Sequence, residues 1–223
     1  MRFIGHRGMP AVFPENTALG LRRAADRCDW VEFDVRRCGS GEPVVVHDER
    51  LDRVLGLDRP VAETPLDEIR ARYVDDSDQR VPTLPETVVA VPEGTTVNVE
   101  LKTSGVTEQV VETADAVGNE TVVSSFSATI LREVNEVSAL PLAPIVADAD
   151  AWDDALALAV EVGAEYVHPH YDLVFASPER VDDAHDRGLE VNAWTLRSPE
   201  PYDRLSEVGV DGVFVDDPAY AGR

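Results

Sequence analysis

Two stretches of the chain alternate between apolar and polar residues with the period of a β-strand. In Trp30-Val31-Glu32-Phe33-Asp34-Val35, the residues Val31, Phe33 and Val35 share one face, and Glu32 and Asp34 the other. In Val97-Asn98-Val99-Glu100-Leu101-Lys102, the valines and Leu101 oppose Asn98, Glu100 and Lys102. Alternate residues on a strand lie roughly 6–7 Å apart on one face. A covering layer of helices would bury the apolar faces. The opposite faces then carry carboxylates inward, which is costly unless a cation compensates them.

The same reading extends along the chain. Phe3-Ile4-Gly5-His6 predicts a first strand, followed by a turn and a helix opened by Pro14-Glu15-Asn16-Thr17. Asn16 or Thr17 would cap that helix, with Leu19, Leu21 and Ala25 on its inner side. After the second strand, residues 37–82 are less regular and predict an insertion on top of the main fold, too short for a core of its own. Within it, Pro43–Asp48 predicts a short strand or extended arm, and Thr64–Ile69 a short capped helix. Thr83-Leu84-Pro85-Glu86 is a capping box with proline in the first turn of the next helix. Further strands are predicted at Thr121–Ser124, Leu142–Val146, Glu165–His168, Glu190–Trp194 and Gly212–Val215. Helical periodicity lies between them, and Gly163, Gly188 and Gly209 stand where left-handed residues end helices. Eight strands in strict βα alternation predict one α/β domain, a closed (β/α)8 barrel spanning residues 1–223. A doubly wound open sheet is the alternative, but no glycine-rich phosphate loop follows the first strand.

Composition narrows the function classes. No run of about 18 apolar residues exists to span a membrane. No basic segment with an apolar stretch precedes the first strand, which predicts a cytoplasmic location. The chain carries 20 basic and 43 acidic residues, a net charge of −23. Of the basic residues, only Lys102 is lysine. An acidic, lysine-poor surface with its acids spread over helices resembles proteins of salt-loving organisms; the rival is an acidic cation- or partner-binding surface. No basic stripe is present to hold a nucleic acid backbone. Cys28 and Cys38 have no zinc-motif spacing and are expected to be reduced, packed thiols.

Candidate chemistry gathers at strand ends. His6, Glu32, Asp34, Glu100, Lys102, His168, Trp194 and Asp216 all fall at or near C-terminal ends of predicted strands, where barrels build their sites. At an effective dielectric near 20, two carboxylates 5 Å apart repel by roughly 3 kcal/mol. Glu32, Asp34 and Glu100 together therefore predict a divalent cation, and all-oxygen ligation suits Mg²⁺ or Ca²⁺ better than zinc. His6 and His47 are the candidates for proton transfer near neutrality. Arg7 and Lys102 supply fixed positive charge suited to phosphate.

His6-Arg7-Gly8, Pro14-Glu15-Asn16-Thr17, Glu32-Phe33-Asp34-Val35, His47-Asp48, Glu100-Leu101-Lys102 and Gly209-Val210-Asp211-Gly212 resemble, in order and spacing, the glycerophosphodiester phosphodiesterases. The resemblance covers nearly the whole chain. It implies a TIM barrel with a small insertion after the second strand. It also implies a divalent cation, Mg²⁺ or Ca²⁺, on Glu32, Asp34 and Glu100, and catalytic histidines at His6 and His47. Phosphate-binding groups match Arg7 and Lys102, and Trp194 matches an aromatic wall near the substrate. The implied reaction splits a small-molecule glycerophosphodiester into glycerol phosphate and an alcohol, with attack by the substrate's own glycerol hydroxyl. Phe214-Val215-Asp216 replaces the family's usual Ile-Thr-Asp ending, and Asp216 receives no role. His168 is expected to be a packed strand-end side chain, and His185 a surface residue. The alternatives are a related barrel acting on lysolipids or inositol lipids, and a non-catalytic barrel that binds phosphodiesters.

Overall fold

The short alternating strands do what their apolar faces require, closing on themselves so that helices cover one side and side chains fill the other. A computed structural model describes residues 1–217 and 219–220. The parallel strands are β1 (Arg2–Gly5), β2 (Trp30–Arg37), β4 (Thr96–Leu101), β5 (Thr121–Ser125), β6 (Leu142–Val146), β7 (Tyr166–Pro169), β8 (Glu190–Leu196) and β9 (Gly212–Val215). Each pairs with the next, and β1 pairs with both β9 and β2, which closes the barrel. A short β3 (Pro43–Val45) lies antiparallel on the end of β2, with Val35 opposite Val45. The closed eight-stranded barrel matches the architecture expected from the strand count.

The outer core lies between strands and helices. Val31, Phe33, Val35, Val97 and Val99 meet Leu21 and Ala24 of α1 (Ala18–Ala25) and Val88 of α4 (Leu84–Ala90) in one apolar cluster. Farther round, the same cluster takes in Val110 of α5 (Thr107–Ala116), Leu131 of α6 (Ala128–Val137) and Leu156 of α7 (Trp152–Glu161). Val181 of α9 (Glu179–His185) and Leu205 of α10 (Glu200–Val208) complete it. Inside the barrel, Ile4, Trp30, Val122, Ala143, Tyr166 and Phe214 form a separate plug. The Arg2 guanidinium lies 4.6 Å from the centre of the Trp30 ring. The lumen is therefore filled below, and only its C-terminal mouth is open to chemistry.

Local details settle some expectations and correct others. Of the two caps the sequence offered for α1, Thr17 is the one used, its hydroxyl accepting from the Gly20 N–H at 3.1 Å. Leu19 is exposed, because residues two apart on a helix point to nearly opposite sides and Leu21 takes the inner one. His6 lies just past β1, in a single helical turn over His6–Gly8. In that turn Gly8 has φ +74°, and a Cβ there would lie 2.7 Å from the Gly20 backbone. The Thr83 capping box forms, with the Thr83 N–H donating to Glu86 at 2.9 Å. An unforeseen helix α8 (Tyr171–Ala176) follows β7, since six residues carry too little period to announce it.

The insertion has its own small core, contrary to expectation. Cys38, Val44, Val46, Leu51, Val54, Leu55, Val61, Ile69, Val74 and Val81 pack together around α2 (Asp52–Leu55) and α3 (Leu66–Arg70). These residues follow no single period along the chain, so pattern reading does not group them. The expected cap on α3 is missing: Pro65 occupies that position, and the Thr64 hydroxyl donates to the Pro60 carbonyl instead. Both cysteines are free thiols, and burial pushes Cys28 up to about 12. Among the described residues, no helix is long and apolar enough to cross a membrane.

Leu131 is fully buried where α6 packs on the barrel. Leu131→Ala is expected to lower stability by about 2–5 kcal/mol, read as an earlier urea midpoint with an unchanged slope.

Candidate active site

Strand register assembles the acidic cluster. In the parallel pairing of β2 with β4, Glu32 stands opposite Asn98 and Asp34 opposite Glu100. Neighbouring strands are about 4.8 Å apart, so carboxylates that alternation turns inward become neighbours across the sheet. One oxygen each from Glu32, Asp34 and Glu100 lies within 4.8 Å of the others, and all three residues are buried. Hard divalent cations take oxygen ligands at about 2.0–2.6 Å, so one ion between these oxygens meets the spacing. Among the described residues, Glu32 Oε1 is buried without a hydrogen-bond partner. The donor set is all oxygen. The three acids therefore fit a divalent cation.

Two side-chain cations share the cluster. Lys102 contacts Glu100 and lies 3.1 Å from Asp34, while Arg7 Nε is 3.2 Å from the other Asp34 oxygen. The Arg7 backbone N–H donates to Glu32 at 2.8 Å, and the Asn16 amide to Asp34 at 2.9 Å. Burial would raise Asp34, but Lys102, Arg7 and His47 outweigh it and hold the carboxyl below the usual range. Glu32 goes the other way, pushed well up by burial and by the charges of Asp34 and Glu100. Burial and Asp34 likewise push Glu100 up to about 7. Burial alone would lower Lys102, but Asp34 and Glu100 raise it and keep it charged. Three acids against two cations leave the cluster short of positive charge.

Each histidine has its own carboxylate. His6 Nδ1 lies 2.6 Å from Asp216, and its Nε2 is 4.0 Å from Glu32. His47 Nδ1 lies 2.7 Å from Asp48. An ionised carboxylate on Nδ1 fixes the proton there and leaves Nε2 to exchange one with a ligand. Burial first, and then Arg7 and Lys102, lower His47 against the opposing pull of Asp34, which favours a neutral ring. Both histidines line a cavity of about 180 Å³ together with Arg7, Glu32, Glu100, Lys102 and Trp194. Asp34 lies beneath it, fully buried.

All eight residues singled out in the sequence thus come together. Trp194 is held by its indole N–H, which donates to the His168 carbonyl at 2.8 Å, and by edge contacts with Phe126 and His170. His168 is packed as expected, burial lowering it to about 3, yet it also lines the cavity. His185 sits at the end of α9 and pairs with Asp211 at 2.9 Å. Asp216 stands at the strand end where the sequence placed it, and the contact with His6 is what the sequence alone did not give it. Phe126 was missed, since its place in the loop after β5 follows no period.

A closed parallel barrel with buried acids, paired histidines and two cations at its C-terminal mouth has the make-up of a barrel phosphodiesterase. Residues 6–220 match the Glycerophosphoryl diester phosphodiesterase family, and the chain belongs to it. It is 28% identical to the glycerophosphodiester phosphodiesterase of Caldanaerobacter subterraneus subsp. tengcongensis, over 96% of this chain and 93% of that one. The crystal structure of glycerophosphodiester phosphodiesterase from Thermotoga maritima superposes with a TM-score of 0.84 at 25% identity, covering 97% of this chain and 94% of that chain. A phosphodiesterase of Oleispira antarctica, solved in complex with the product sn-glycerol-3-phosphate, gives a TM-score of 0.88 at 27% identity, covering 99% and 94%.

The raised carboxyls have a consequence for stability. A Glu that binds its proton more tightly when folded contributes stability that is complete below its unfolded value, about 4.3. That contribution is lost as the pH rises through the folded value, about 7 for Glu100. Chelator-treated protein is therefore expected to melt at a lower temperature at pH 8 than at pH 5.5. Glu100→Gln should flatten that slope, and millimolar Mg²⁺ or Ca²⁺ should restore the pH 8 value. Calorimetry checks both, and a melting temperature indifferent to either cation would rule out the cluster as a cation site.

Proposed function

We propose that this chain hydrolyses glycerophosphodiesters to glycerol phosphate and an alcohol, with Mg²⁺ or Ca²⁺ held by Glu32, Asp34 and Glu100. The observation that carries the reading is the cavity shared by two carboxylate-backed histidines, the acidic cluster, Arg7 and Lys102. The bound cation would polarise the phosphoryl group. Arg7 and Lys102 would hold the phosphate oxygens by charge. One of His6 and His47 would take the proton of the attacking glycerol hydroxyl while the other gives a proton to the departing alcohol, and water would then open the resulting cyclic glycerol phosphate with the two roles reversed. Asp216 and Asp48 would keep both rings in the tautomer this exchange needs. Trp194 would form one wall for the substrate.

The wider setting is part of the same reading. Acids spread over the helices, with one lysine in the chain, suit a salt-rich cytoplasm, and two free thiols agree with a reducing one. Raising salt from 0.1 M to 1 M shortens the Debye length from about 10 Å to about 3 Å. The melting temperature is expected to rise over that range as repulsion among the 43 acidic residues is screened. A fall would count against salt adaptation.

The direct test is release of glycerol phosphate from a panel of glycerophosphodiesters, with and without chelator. Chelator should abolish turnover, and His6→Ala and His47→Ala should each lower kcat by about 10²–10⁴-fold. Full activity in chelator, or undiminished turnover in either variant, would refute the mechanism.

A further inference from the structure

His47 is the one proposed catalytic group that no barrel strand or strand-end turn carries. It stands in the insertion, past β3, and its backbone is fixed from β2. The Val46 N–H donates to the Asp34 carbonyl at 3.0 Å, and Arg36 Nε donates to the His47 carbonyl at 2.7 Å. Those bonds place the residue but leave the ring free to turn about its side-chain torsions. The ring's own partner is Asp48, at 2.7 Å from Nδ1. Asp48 belongs to the same stretch of insertion, outside the barrel strands, and its carboxylate is held in turn by a further partner.

That partner is Arg53, on α2. Its Nε donates to the second Asp48 oxygen at 2.6 Å, while its two terminal nitrogens donate to the two Glu15 oxygens at 2.8 and 2.6 Å. A guanidinium used at all three nitrogens has its plane set by both carboxylates at once, a geometry that lysine cannot copy. Glu15 is the fixed end. Its side chain is 10% exposed, and it precedes Asn16, whose amide bonds Asp34 and whose backbone N–H donates to the Arg7 carbonyl at 2.8 Å. A path thus runs from Asp34 in the acidic cluster by hydrogen bond to Asn16, along the chain to its neighbour Glu15, and by hydrogen bonds through Arg53 and Asp48 to the His47 ring. Burial would raise Asp48, but its bonds to Arg53 and His47 hold it below the usual carboxyl range, ionised as the path requires.

We infer that Arg53, anchored on Glu15, is a positioning residue that sets the orientation of the His47 ring relative to the acidic cluster. The inference rests on the proposed proton-transfer role of His47. Arg53 does not line the cavity, so its effect should reach turnover and leave substrate affinity alone. Misplacing a reacting group by about 1 Å can lower a rate about 10²-fold.

The test compares Arg53→Met, Arg53→Lys and His47→Ala singly, and Arg53→Met combined with His47→Ala. Arg53→Met is expected to lower kcat about 10- to 100-fold with KM unchanged, and Arg53→Lys to recover part of the loss. In the His47→Ala background, Arg53→Met should have no further effect, because groups acting as one unit are not additive. By NMR, the His47 Nδ1 proton, identified by its disappearance in His47→Ala, should exchange faster with water in Arg53→Met. Unchanged kcat in Arg53→Met, or the same fractional loss with and without His47, would overturn the inference while leaving the catalytic reading intact. Undiminished turnover in His47→Ala would remove that reading, and this inference with it. If Arg53→Met does not fold, Arg53→Gln takes its place in every comparison with the same expectations.

Discussion

Burying three carboxylates against one another is the constraint on which the rest of this structure depends. Glu32, Asp34 and Glu100 stand within one ion's reach in the mouth of the barrel. Their repulsion and desolvation are unfavourable by several kcal/mol as an order of magnitude. The fold meets that demand with Lys102 and Arg7, a backbone N–H to Glu32 and an amide to Asp34. The compensation stops short, with two acids pushed upward and Glu32 Oε1 left without a hydrogen bond. A site in that state attracts positive charge, and this is what suits it to a divalent cation.

The barrel and the insertion divide the work. Strands β2 and β4 are paired in a fixed register, and they carry the three acids whose spacing the cluster depends on. The turn after β1 brings His6 and Arg7 close to the cluster, a tight packing that Gly8 permits against α1. The insertion carries His47 from outside the barrel and has its own small core to hold its shape. Trp194, locked by its indole bond to β7, closes one side of the cavity. Acids, bases and wall thus come from elements distant in sequence that meet only at the mouth.

Most of the architecture was legible because its determinants are local. Strand alternation placed β4, β5, β6, β7 and β9 within a residue of their observed bounds, and the Thr83 capping box formed as read. Leu19 was misplaced because spacing of two was read as a shared helical face. α8 and the insertion core were invisible because neither carries a sustained period. In the site, residues with a motif around them were found, whereas Asp216 and Phe126 matter only through contacts made across the barrel.

By itself, the sequence determined which residues alternate, where helices begin and end, and therefore that eight βα units close into a barrel with polar residues at one end. Those properties follow from backbone sterics and side-chain burial acting over a few residues. Only the tertiary structure decided which acid neighbours which cation, that Asp216 backs His6, and that Arg53 ties the carboxylate behind His47 to Glu15. Register between strands and the docking of the insertion set those distances. Electrostatic energies depend on separation in space, which a linear pattern does not encode.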